Sequence, residues 1–157
     1  MKRFAALYAE LDRSTATSDK RAALVAYFRD APPEDAAWAL WLLSGGKLSK
    51  IANTRELRDW IVAESGQPDW LVDECHDHVG DLGETLALLL DDPPAVDDVA
   101  LSEWIERRLL PVAGLDPDTR RAVVVGGWRT LDFDQRLLFN KLLTGAMRVG
   151  VSQRLVQ

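Results

Sequence analysis

The sequence contains one cysteine, Cys75, and no long uninterrupted run of apolar residues. A single cysteine excludes a disulfide within the chain, and a lack of disulfides is typical of reducing compartments, so we expect a cytoplasmic protein. A membrane-spanning helix needs about 20 consecutive apolar residues, which this sequence nowhere provides. We therefore expect no membrane partner.

Histidine is also scarce, and the residue patterns of common catalytic sites are missing. The two histidines, His76 and His78, are two positions apart, whereas metal-binding pairs on one helix are three or four apart. The phosphate-binding pattern that ends in Gly-Lys-Ser/Thr is absent because Leu48 follows Lys47, and no Gly-x-Ser-x-Gly nucleophile occurs. These absences disfavour a free-standing enzyme, and we expect no catalytic residue, cofactor or metal in this chain.

The net charge is −6, but the charges are unevenly distributed. No lysine or arginine occurs between Asp59 and Glu106, whereas residues 118–157 contain seven basic and three acidic residues. A smaller basic cluster precedes the acidic segment, and its members are Lys47, Lys50, Arg55 and Arg58. Two basic segments permit a polyanionic partner. The acidic middle fits an alternative function, a helical protein–protein interaction module with an acidic docking surface.

Helical periodicity dominates the chain. Apolar residues at helical spacing, such as Phe4, Leu7, Tyr8 and Leu11, define one face of a first helix. Five polar residues precede such segments and are predicted N-caps: Ser18, Asn53, Asp81, Asp116 and Asp132. The only β-branched run, at residues 122–125, is too short for a sheet. The pattern predicts an all-α fold with about eight to ten helices.

The acidic, proline-containing stretch at residues 91–94 is the clearest linker in the sequence. It divides a single helical domain into two predicted lobes, roughly residues 1–90 and 95–157. The six tryptophans lie in amphipathic patterns, and we interpret them as packing residues of the core or of the contact between lobes.

Two glycine-containing segments resemble each other. They read WLLSGGKLSK (residues 41–50) and KLLTGAMRVG (residues 141–150), and in each a helix ends and a short basic loop follows. The first turn of a helix after Gly150 would offer free backbone N–H groups that suit a phosphate. We interpret the pair as two similar corners that face one target; the alternative is an ordinary helix C-cap and connector.

Three segments in this order, WALWLLSGGK, VGDLGETLALLL and LLTGAMRVGVSQ, resemble the N-terminal DNA-binding domain of bacterial ATP-dependent DNA ligases. The resemblance covers nearly the whole chain. It implies an all-helical domain of two pseudo-symmetric halves that binds the minor groove of nicked double-stranded DNA. Such a domain contacts the DNA backbone without reading base sequence and serves DNA replication, recombination or repair.

The resemblance also implies DNA-binding residues in the two corners. The second corner supplies Arg148, Gly150, Val151, Ser152 and Gln153. Arg154 is added from the sequence itself, because with Arg148 it flanks this loop with positive charge. The first corner supplies Gly46, Lys47, Ser49 and Lys50.

Members of this family continue into an adenylation domain, in which the lysine of a Lys-x-Asp-Gly motif becomes adenylated, and into an OB-fold. None of the five lysines of this chain has that sequence context. We therefore expect an excised domain whose partners are nicked DNA and the adenylation and OB-fold domains of a longer ligase. ATP and Mg²⁺ would belong to that ligase, and this chain alone should not seal nicks.

Overall fold

The computed structural model describes residues 1–96, 98–145 and 147. Its regular structure is entirely helical within these ranges, which confirms the predicted all-α class and the predicted number of helices. The nine α-helices are α1 (Lys2–Arg13), α2 (Thr17–Asp30), α3 (Pro33–Leu43), α4 (Thr54–Ser65), α5 (Asp69–Val79), α6 (Leu82–Leu88), α7 (Leu101–Glu103), α8 (Pro117–Thr130) and α9 (Phe133–Thr144). The short α7 continues into a π-helical segment, Trp104–Leu109, and a 3₁₀ turn, Leu110–Val112.

Four of the five predicted N-caps are confirmed. The Asn53 side chain accepts a hydrogen bond from the Glu56 backbone N–H at 2.8 Å, and the Glu56 side chain accepts one in return. Asp81, Asp116 and Asp132 accept equivalent bonds at the starts of α6, α8 and α9. The prediction for Ser18 is wrong, because α2 already begins at Thr17 and Ser18 lies within its first turn.

The core is formed where α6 and α9 pack along each other and α1 packs against α9. The predicted apolar face of α1 is buried. Helix α8 approaches α9 closely because Gly127 carries no side chain: a Cβ there would lie 2.6 Å from the Phe139 ring. One hydrophobic cluster includes residues from both predicted lobes. The lobe boundary itself stays a prediction.

Arg136 is the main polar residue of this core and is only 1% exposed. Its guanidinium donates to the backbone carbonyls of Ala87, Leu90 and Leu131 at 2.8–3.0 Å. It also donates to the Asp92 carboxylate at 2.9 Å, within the predicted linker. Arg136 therefore caps the end of α6 and holds the linker against α9.

The tryptophans divide into three groups, and Trp38 alone is partly buried and packs against the core. Trp60, Trp104 and Trp128 are buried, as predicted for core residues. Trp41 and Trp70 are 43% and 66% exposed, so the core prediction is wrong for these two. In α3 the buried face is already occupied by Ala39, Leu42 and Leu43. A helix that is apolar on more than one face must leave some of its apolar side chains in solvent unless a partner covers them.

Candidate nucleic-acid interface

The first glycine corner follows α3. Gly45 has a φ of +99°, and its N–H donates to the Leu42 carbonyl at 3.1 Å. The Gly46 N–H donates to the Trp41 carbonyl at 2.9 Å. This pair of bonds is a Schellman motif, so the local geometry is that of an ordinary helix C-cap. Any binding function must come from the side chains that the corner presents.

The segment after this corner alternates between buried and exposed side chains. Leu48, Ile51 and Ala52 are buried and anchor it to the core. Lys47, Ser49 and Lys50 are exposed. The structure thus brings the nominated residues of the first corner together on one exposed segment. Neither lysine forms an ion pair with any residue that the structure describes.

The second glycine corner lies beside the first. Helix α9 ends at Thr144, and Gly145 continues with a φ of +71° while its N–H donates to the Lys141 carbonyl at 2.9 Å. A Cβ at Gly145 would lie 3.5 Å from Cδ of Lys47. The side chain of Lys47 therefore lies beside Gly145, and the two residues line one cavity.

The remaining nominated residues fall beyond this point. Arg148, Gly150, Val151, Ser152, Gln153 and Arg154 lie outside the described residues. Their assignment stays a prediction.

A polar cavity of about 590 Å³ lies next to the contact between the corners. It is lined by Tyr8, Asp12, Lys47, Asp81, Glu84, Leu137, Lys141, Thr144 and Gly145. Burial alone would raise the pKa of Asp81, but hydrogen bonds from Lys141 and from the Glu84 backbone N–H lower it overall. Burial, together with Asp12 and Asp81, raises the pKa of Tyr8 to about 12. Carboxylates in the cavity therefore offset the positive charge of Lys141. The exposed Lys47 is the cation of the cavity that an approaching anion would meet.

Five basic residues of segment 118–157 lie in the part of the chain that the structure describes, and each of them forms an ion pair. Arg120 pairs with Glu56, Arg136 with Asp92 and Lys141 with Asp81, whereas Arg121 and Arg129 share Glu64. The Arg120 pair is bidentate at 2.9 and 2.8 Å, and the hydrogen bond from Arg120 lowers the pKa of Glu56. The positive charge of these five residues is therefore partly offset within the fold.

Within the described ranges, no helix is both long and apolar enough to cross a membrane. In the same ranges, no cluster of three or more His, Cys, Asp or Glu side chains has an arrangement that could hold a metal ion.

The family of the chain follows from comparison with known proteins. The model of a protein family described as DNA ligase N terminus matches residues 1–157. No match was found among curated proteins. The family match spans α1 to α9 and both glycine corners, and so extends over the three segments on which the sequence resemblance was based.

Proposed function

From the premise that this chain belongs to the DNA ligase N-terminal family, we propose that it binds nicked duplex DNA through the minor groove and the sugar–phosphate backbone. The domain would position the duplex for nick sealing without reading base sequence. We further propose that the parent protein is an ATP-dependent ligase of the bacterial type, acting in the cytoplasm in replication, recombination or repair. Adenylation and OB-fold domains of that ligase would use the ATP and Mg²⁺.

The contact between Gly145 and Lys47 is the observation that carries this proposal. It supports a single binding surface in which the exposed first corner adjoins the start of the second. Lysine and hydroxyl side chains on such a surface suit phosphate and sugar contacts, which orient a protein on DNA without specifying bases. A groove that is distorted at a nick would be recognised by its shape.

The charge distribution supports weak, salt-sensitive binding. Each neutralised phosphate contributes about 0.9 to the slope of log affinity against log salt concentration. In the described part of the corners, Lys47 and Lys50 form no ion pair whereas Lys141 pairs with Asp81, and the net charge of −6 opposes approach of a polyanion. We expect micromolar or weaker affinity that falls steeply as salt is raised. Tight binding that is unaffected by salt would contradict the proposal.

A charge reversal with a matched control tests the surface. Lys47→Glu should abolish binding to a fluorescent nicked duplex in an anisotropy titration. Arg21→Glu changes the net charge equally but lies on α2 in a separate groove, so it should weaken binding only slightly. Equal losses in the two variants, or binding unchanged by Lys47→Glu, would refute the assignment of the surface.

The acidic docking module remains a second candidate because of α5. This helix exposes Trp70 together with Asp73, Glu74 and Asp77. An exposed indole among carboxylates suits a basic partner with an apolar pocket. An arginine-rich peptide should then bind the chain and lose affinity with Trp70→Ser, while Lys47→Glu has no effect. Absence of heat in a calorimetric titration with that peptide would dismiss this candidate.

A further inference from the structure

An apolar groove of about 570 Å³ adjoins the first corner. It lies between α3, the segment after Gly46 and the 3₁₀ turn, and its lining residues are Ala37, Trp38, Trp41, Lys47, Leu48, Ser49 and Leu110. Lys47 contributes an ammonium group and Ser49 a hydroxyl group to the groove, and both residues belong to the candidate DNA-binding surface. The groove is therefore continuous with that surface.

Trp41 is the largest exposed apolar group in the groove and is held in one orientation. One side of its indole lies against the backbone of Gly46, where a Cβ would approach the ring far inside 3.0 Å. The Trp38 ring meets it edge-on, with centroids 5.7 Å apart and planes at 81°. Trp38 is in turn fixed by a 3.0 Å hydrogen bond from its Nε1 to Glu106. A side chain already fixed in this way loses little conformational entropy when it binds a partner.

Leu110 also lines the groove and is 36% exposed. Trp41 and Leu110 are thus two exposed apolar side chains in one groove, and clustered apolar side chains mark binding sites more often than isolated ones do. Lys47 lines the same groove, so a cation accompanies its apolar surface.

This arrangement matches the alternation of groups along a DNA strand. Along the minor groove, each phosphate is followed by a deoxyribose whose C–H groups are apolar. A strand whose phosphate contacts Lys47 would present a deoxyribose to the apolar lining of the same groove. The faces of the bases in an intact duplex are stacked on each other and are not available to the indole, so the sugar is the favoured occupant.

We propose that Trp41 and Leu110 pack against deoxyribose rings of the minor groove, beside the phosphate contacted by Lys47. This inference rests on the proposed DNA-binding function. Such packing would supply a part of the affinity that does not depend on salt, in addition to the phosphate contacts, which the net charge of −6 weakens.

Salt-dependent titrations with a nicked duplex separate the two contributions. Trp41→Ala and Leu110→Ser should each weaken binding about tenfold at every salt concentration, the effect of losing roughly one well-packed apolar contact. Neither should change the salt slope. Lys47→Gln should reduce that slope by about 0.9, the contribution of one phosphate contact. Trp70→Ala removes a more exposed indole outside the groove and should leave affinity unchanged.

The two groove variants lie on different elements, so a folding defect in one does not hide the result. If Trp41→Ala lowers the melting temperature, the affinity of Leu110→Ser for the nicked duplex tests the groove proposal instead. Unchanged affinity in Leu110→Ser, with binding that still depends on Lys47, would overturn the groove proposal and leave the DNA-binding function standing. If the unmodified chain does not bind the nicked duplex, both the groove proposal and the proposed DNA-binding function are refuted.

Discussion

Gly46→Ala tests how the fold builds the proposed surface. Gly46 is not among the glycines with positive φ, so alanine is compatible with its backbone conformation. The added Cβ would nevertheless approach the Trp41 ring far inside 3.0 Å and would lie 2.7 Å from the Trp41 carbonyl oxygen. One neighbour is a rigid indole and the other is backbone, so neither can move away cheaply.

The expected loss follows from that overlap. Forcing an extra methyl group into a packed site destabilises a protein by about 1–3 kcal/mol. For a chain of this length, that corresponds to a melting temperature lower by roughly 2–12 °C. Because the indole must also tilt out of its position, binding to nicked DNA should weaken about as much as in Trp41→Ala.

The assay combines thermal melting by circular dichroism with anisotropy titration, and Gly66→Ala is the control. Gly66 has a φ of +70° and open space around its Cβ position, so alanine there introduces backbone strain without a clash. It should destabilise by about 1 kcal/mol and leave DNA binding unchanged. A Gly46→Ala variant that melts and binds like the unmodified chain would refute the packing described for Trp41.

Three further predictions concern stability. Arg136→Met leaves three backbone carbonyls without their hydrogen-bond donor. It should lower the free energy of unfolding, measured in urea, by about 3 kcal/mol. A loss below roughly 1 kcal/mol would contradict the capping role of Arg136. The hydrogen bond from Arg120 lowers the pKa of Glu56 below its ordinary value of 4.5. The ionised Glu56 therefore stabilises the fold above pH 4.5, and this stabilisation is lost as the pH falls through the lowered pKa. Glu56→Gln should therefore reduce the acid sensitivity of the melting temperature, and an unchanged pH profile would oppose this reasoning. Burial first, then nearby acids, raise the pKa of Tyr8 and of Tyr27 to about 12, so phenolate absorbance should appear near pH 12 in the folded protein and near 10 in urea. That stabilisation is present below pH 10 and is lost as pH rises through 12, and native titration of either tyrosine near 10 would contradict its burial.

Local features of the fold were predictable from sequence because they depend on neighbouring residues. Asn53 and Glu56 are three positions apart, so their reciprocal capping bonds can be read directly from the chain. The buried face of α1 follows from helical spacing alone. Ser18 shows the limit of this reasoning, because the same residue type serves as a cap or as part of the first turn, depending on where the preceding backbone becomes helical.

Long-range features were not predictable. Arg120 and Glu56 are separated by 64 positions, and only the fold shows that they neutralise each other. The exposure of Trp41 depends on which face of α3 the core covers, which one helical sequence does not reveal. The similarity of the two glycine segments suggested that both face one target, and the contact between Gly145 and Lys47 agrees with that hypothesis at the described part of the second corner.

Amide chemical-shift mapping during titration with a nicked duplex tests the central claim most directly. If the two corners form one DNA-binding surface, the resonances of Gly46, Lys47, Ser49 and Gly145 should shift together, with the same concentration dependence, and those of α5 should stay in place. Shifts confined to one corner, or centred on α5, would contradict a shared DNA-binding surface.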